Sequence, residues 1–172
     1  NFKVGGKNIL NVNDCVLENI NLVHKIKKTL NRKIDALFTQ FSYANFIEES
    51  KQKIIAKKQL QKIKIQDQVL KPDYIVPFAS FIYFSHVENK FMNKNINKLE
   101  NVHEYILNEC KARPIILQPN ETWLIENKSN NSSLAYWNKI YGKINDLNYD
   151  TSENSIPIEE LKIKSKNYLQ NL

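Results

Sequence analysis

The chain has 172 residues, 42% hydrophobic and 25% charged, with only 3 Gly and 5 Pro. That length and apolar content support one ordinary domain with a sizeable core, and they exclude disordered, collagen-like and linker classes. The formal charge is +7, yet of 25 basic residues only Arg32 and Arg113 are arginine. Nucleic-acid readers rely on arginine for bidentate contacts, so the basicity reads as a lysine-rich solvated surface and a dedicated nucleic-acid function is disfavoured.

No apolar run approaches the roughly 18 residues that span a bilayer, and no secretory signal pattern is visible. Cys15 and Cys110 are far apart and lie in no CxxC spacing. They read as free thiols in a reducing compartment, which makes the expected location cytoplasmic. Four Asn-x-Ser/Thr matches between Asn120 and Ser133 read as chance in an Asn-rich chain. The chain begins at Asn1 rather than Met, and the expectation is that an upstream region is missing.

In chain order, Phe2 to Val4 and Ile9 to Val12 flank Gly5-Gly6 and predict a hairpin. Val16, Ile20, Val23, Ile26 and Leu30 recur at helical spacing, with Asn31 as a stop. Residues 34–38 predict a strand running into Thr39-Gln40-Phe41-Ser42. A long helix is predicted over 45–70, ended by Pro72. Tyr74-Ile75-Val76 predicts a further strand that continues into Pro77-Phe78-Ala79-Ser80-Phe81. Residues 82–97 lack clean periodicity and predict an ordered loop. Leu99, Val102, Ile106 and Cys110 predict another helix, residues 114–119 a strand, and Thr122 to Ile125 one more, with Asn120 turning between them. Residues 128–133 read as a polar loop and 134–147 as a helix that Gly142 weakens. A last helix begins near Pro157, with Ser155 as its cap.

Strands alternating with helices make an α/β protein, with antiparallel hairpins expected at its ends. Ligand sites in such folds lie beyond the carboxyl ends of the strands. Four polar segments have that placement: Asn13-Asp14, Thr39-Gln40-Phe41-Ser42, Ser80 to His86, and Gln118.

Asp14, after an apolar strand and before a helix, suits either a cation ligand or a helix cap. His86 and Glu88 suit metal ligation or general-base work, and equally a hydrogen-bonded structural turn. His24 and His103 read as structural or surface residues. There is no Gly-rich phosphate loop, no HExxH and no G-x-S-x-G.

The segments Asn11-Val12-Asn13-Asp14-Cys15, then residues 34–42, then Pro77-Phe78-Ala79-Ser80-Phe81, then His86-Val87-Glu88-Asn89-Lys90-Phe91, occur in an order that resembles the C-terminal half of the metallo-β-lactamase-fold superfamily. The nearest likeness is the branch containing CMP-N-acetylneuraminate hydroxylase. It covers about residues 2–123. The resemblance implies a four-layer αββα sandwich with a metal site at one edge of two sheets. It divides the chain into residues 1–127, the C-terminal half of that domain, and residues 128–172, a helical extension of it.

By the same resemblance, Asp14 takes the place of a metal-bridging Asp. Pro77-Phe78-Ala79 stands where a Pro-x-His ligand is usual, so His86 becomes the alternative ligand or a proton donor. Gln40, Ser42 and Asn89 become candidates for hydrogen bonds to substrate. The superfamily's His-x-His-x-Asp-His cluster is absent. The implied cofactor is Zn²⁺ or Fe, its remaining ligands supplied by a missing N-terminal half, which is also the implied partner.

The expected activity is metal-dependent hydrolysis of a small anionic substrate such as a phosphoester or nucleotide sugar, drawn in by Lys90 and Lys94. Two alternatives stay open. One is an oxygenase resembling the hydroxylase, which needs iron–sulfur ligands not found in this chain. The other is a non-catalytic interaction domain that has lost its metal.

Overall fold

The computed structural model describes residues 2–13, 15, 17–125, 131–148 and 156–170. Strand β1 (Phe2–Val4) pairs antiparallel with β2 (Lys7–Asn11). The turn between them needs two consecutive left-handed residues, and Gly5 and Gly6 supply φ of 55° and 80°. Then follow α1 (Ile20–Leu30), β3 (Ala36–Thr39), α2 (Glu49–Leu70), β4 (Tyr74–Pro77), α3 (Leu99–Glu109) and β5 (Arg113–Pro114). A 3-10 helix, Lys90–Asn95, lies in the connection between β4 and α3. Helices α4 (Asn131–Gly142) and α5 (Ile158–Gln170) close the sequence.

The sheet has five strands in the order β1-β2-β3-β4-β5, and β2 to β5 are all parallel. The fold is therefore α/β. A helix makes each parallel crossover, and such crossovers are almost always right-handed. With a strand order that never reverses, that rule sends every crossover helix to the same face. Strand alternation identifies the two faces. Leu10, Leu37, Ile75 and Ile116 pack with Val23, Ile63, Leu70, Leu99, Val102 and Ile106 of the helices. Ala36, Tyr74, Val76 and Ile115 face the other way.

That second face is partly covered by the chain itself. Trp123 meets the Tyr74 ring edge-on at 5.0 Å, and Leu117 and Ile125 pack beside it. The expected strand at 122–125 is not formed. Pro119 has no N–H to give a ladder, and Asn120 adopts φ 64°, so the chain turns and crosses the sheet instead of extending its edge. The hairpin expected at this end is therefore absent, and the one at β1–β2 is present. Phe78 remains 37% exposed on this side, packed edge-on against Phe38 at 5.8 Å.

Helix boundaries follow local chemistry. α1 begins later than its apolar stripe, because the Asn19 side chain accepts from Asn21 N–H at 2.9 Å. It ends where Asn31 turns left-handed, with φ 41°. α2 starts at Glu49 rather than 45, and it buries Gln52 and Gln66 while Phe46 and Ile54 stay exposed. α4 packs on α3, Trp137 Nε1 donates to Leu117 O at 2.8 Å, and Tyr141 joins the main core. Every residue of α5 is exposed. No helix among the described residues is long and apolar enough to cross a membrane.

One buried carboxylate ties the amino-end side of the sheet together. Asp67 near the end of α2 is 3% exposed and accepts from Lys111 N–H at 2.9 Å and Ala112 N–H at 3.0 Å, just before β5. Asp67→Ala orphans a buried N–H and should lower unfolding stability by about 2–3 kcal/mol in urea titration. A loss below about 1 kcal/mol would show that the tie is dispensable.

Candidate functional site

The carboxyl ends of β2 to β5 lie along one edge of the sheet, and all four polar segments singled out in the sequence follow those ends. After β2, Val12 N–H donates to Phe38 O at 3.0 Å and the Asn11 side chain accepts from Asn13 N–H at 2.9 Å. Asp14 lies outside the described residues. Cys15 is exposed. The half-buried Cys110 thiol is pushed up to about 12 by burial, so it stays protonated and is a poor nucleophile.

Beyond β3 and β4 the chain knots itself together with polar groups. Ser80 Oγ accepts from Phe41 N–H at 3.2 Å and donates to Ser42 O at 3.3 Å. Ser42 Oγ accepts from Asn97 N–H at 3.1 Å. The Asn97 amide donates to Phe41 O and to Ala56 O, each at 2.8 Å. Ser42, Ser80 and Asn97 are all buried. Ser42, read from the sequence as a substrate contact, thus holds the entry to α3. A bond from its hydroxyl to substrate would compete with that buried interaction. Gln40, beside it, is half-buried.

Aromatic residues fasten the 80–97 connection to the β3–α2 connection in matching order. Phe81 meets Phe41 at 5.3 Å, Phe84 stacks on Tyr43 at 6.3 Å, and Phe91 meets Phe46 at 6.1 Å. Tyr43 also donates its hydroxyl to Met92 O at 2.7 Å, and burial pushes that hydroxyl up to about 12. The aromatics thus anchor the loop, which is ordered as expected. Two amides of the loop are used within the protein. Asn93 pairs with Phe84 N–H and O at 2.8 Å each, and Asn95 donates to Gln52 at 2.8 Å.

His86 sits in a tight turn of this loop. Its Nδ1 accepts from Glu88 N–H at 3.3 Å, with the Glu88 carboxylate 3.9 Å away. The Asn89 side chain accepts from His86 N–H at 3.2 Å, so Asn89 closes the same turn. The His86 side chain is 32% exposed. With Nδ1 engaged as an acceptor, the neutral ring carries its proton on Nε2. Among the described residues, no three His, Cys, Asp or Glu side chains gather where they could hold a metal ion. Ala79, where the Pro-x-His ligand was sought, adopts φ 61° and turns the chain sharply off β4.

Comparison with protein-family profiles, curated proteins and solved structures finds no match to this chain.

Ser80 was legible only as the start of a polar segment and Asn97 not at all, because the partners that make them the hub of this edge are 38 to 56 residues away. Asn97→Ala removes two buried donors and should cost about 2–4 kcal/mol of stability, read by urea or thermal unfolding. Ala79→Gly relieves a left-handed Cβ and should gain about 0.5–1 kcal/mol by the same measurement. A destabilised glycine variant would mean that the Ala79 methyl packs usefully.

Proposed function

We propose that this chain is the C-terminal half of a metal-dependent hydrolase of the metallo-β-lactamase fold, acting on a small anionic substrate. The observation that carries the reading is the convergence of the resembling segments. They are scattered over some eighty positions of sequence, yet the first three include the carboxyl ends of the neighbouring parallel strands β2, β3 and β4, and the fourth lies in the connection that leaves β4. A sheet with helices on one face only is also what one half of a four-layer sandwich would consist of. The partly exposed Phe78 face is where a second sheet would pack.

The described side chains do not fit a resident Zn²⁺ or Fe ion. Nδ1 of His86 already accepts from Glu88 N–H, and no three-ligand group is present among the described residues. Asp14, the other proposed ligand, is outside them. The reading therefore assigns the metal chiefly to the N-terminal half, and to this chain the substrate-side groups. In it, His86 presents Nε2–H as a hydrogen-bond donor to substrate, held by the Glu88–Asn89 turn. Gln40 is the neighbouring amide available to orient substrate.

Two measurements test the reading. Calorimetry with Zn²⁺ on the 172 residues alone should show weak binding, because stable sites use three or four protein ligands. Tight stoichiometric binding would overturn the division of labour. In the complete enzyme, His86→Ala should cut turnover by about a hundredfold or more, with stability held within about 1 kcal/mol. Unchanged turnover, or unfolding, would leave His86 a structural residue only.

A further inference from the structure

Between the start of α2, the 3-10 helix and the end of α4 lies an open cleft of about 400 Å³. Its charged lining is lopsided. Lys90, Lys94 and Lys98 face it, against the single carboxylate of Glu49. Lys94 Nζ stands 3.7 Å from that carboxylate, so one lysine is partly answered.

The backbone adds to the same sign. Glu49 is the first residue of α2, and Lys98 directly precedes α3. Neither helix start has a side-chain cap bond. The positive ends of two helix dipoles therefore flank the cleft, each with a single carboxylate in its first turn, Glu49 and Glu100.

A third observation is independent of charge. Tyr141 lines the cleft although it is only 8% exposed. Its ring packs against Trp137 at 6.4 Å, and its hydroxyl makes no hydrogen bond among the described residues. Burial pushes that hydroxyl up to about 12, so it remains a donor at neutral pH. The residue is thus largely buried while it lines the open cleft, where its hydroxyl is available to a bound acceptor. Phe91 contributes an apolar wall beside these donors.

We propose that this cleft binds a small phosphate monoester, its phosphate held by Lys94, Lys98 and the Tyr141 hydroxyl and its organic group against Phe91. The chemistry matches group by group. A phosphate monoester dianion is essentially an acceptor, with three terminal oxygens, and the lining offers donors almost exclusively. The volume lies at the lower end of the range for small-molecule sites, about 300–1,000 Å³. It leaves room for more than a bare phosphate. The cleft shares Lys90 and Lys94 with the hydrolase reading but is formed without Asp14 or His86, so phosphate binding here can be tested apart from turnover.

The test is calorimetric titration of the whole chain with inorganic phosphate and with phenyl phosphate, neither of which needs metal or turnover. Both should bind, the phenyl ester more tightly. Lys98→Gln, at an exposed position, should weaken binding about tenfold, and Tyr141→Phe about fivefold. Glu49→Gln should tighten it severalfold, because it removes the one opposing charge. Lys111→Gln, at the opposite edge of the sheet, should leave it unchanged. Circular dichroism would verify that each variant is folded. Equal weakening by Lys111→Gln and Lys98→Gln would reduce the effect to diffuse attraction by surface lysines and overturn the site. So would an absence of phosphate binding, or a Glu49→Gln variant with unaltered affinity.

Discussion

The carboxyl edge of this protein depends on Asn97. One side-chain amide, buried between three elements, donates to the β3 loop at Phe41 and to α2 at Ala56. Its own N–H is held by Ser42, whose carbonyl receives the Ser80 hydroxyl from the β4 loop. Two long connections that share no strand ladder are thus locked at a common point. The aromatic pairs from Phe41–Phe81 to Phe46–Phe91 extend the lock outward, over a span that polar bonds alone do not reach. Polar groups fix the register of the two connections, and ring contacts supply the apolar burial that holds them down.

This arrangement explains how an irregular stretch of some sixteen residues, longer than most connections in compact domains, is ordered. The 80–97 segment has almost no ladder of its own. It borrows order from the β3–α2 connection through side chains; the His86 turn leads directly into its 3-10 helix, which carries Lys90 and Lys94 at the cleft. Chemistry at this edge is therefore held by packing rather than by secondary structure.

Much of the fold was legible because its signals are local. Gly5-Gly6 marks its own turn, Asn31 its own helix stop, and Tyr74-Ile75-Val76 reads as a strand buried on both faces. Where legibility failed, a distant partner had overridden the local signal. Around α2 the apolar Phe46 and Ile54 stay exposed. The structure buries Gln52 there instead, because Ile47 O and the Asn95 amide satisfy its side chain. The run Thr122 to Ile125 has strand composition, but the Tyr74 ring offers Trp123 a better surface than the edge ladder. The site was legible in outline, as polar segments after strands. It was not legible in detail, since Asn93 and Asn97 look alike in sequence and only their tertiary neighbours show that both are structural.

Helix α5 carries a different consequence. None of its thirteen residues is buried, and the Lys162–Glu159 and Lys164–Glu160 pairs lie along it. Such pairs contribute a few tenths of a kcal/mol each, and isolated helices of this length are marginal in water. Its amides should thus be weakly protected compared with those of the packed helices among the described residues. In a hydrogen-exchange experiment they would take up deuterium within the first seconds, while those of α3, anchored by Val102 and Ile106, would wait for much larger openings. The same contrast makes α5 the segment that limited proteolysis would remove first, leaving the sheet and its carboxyl edge intact.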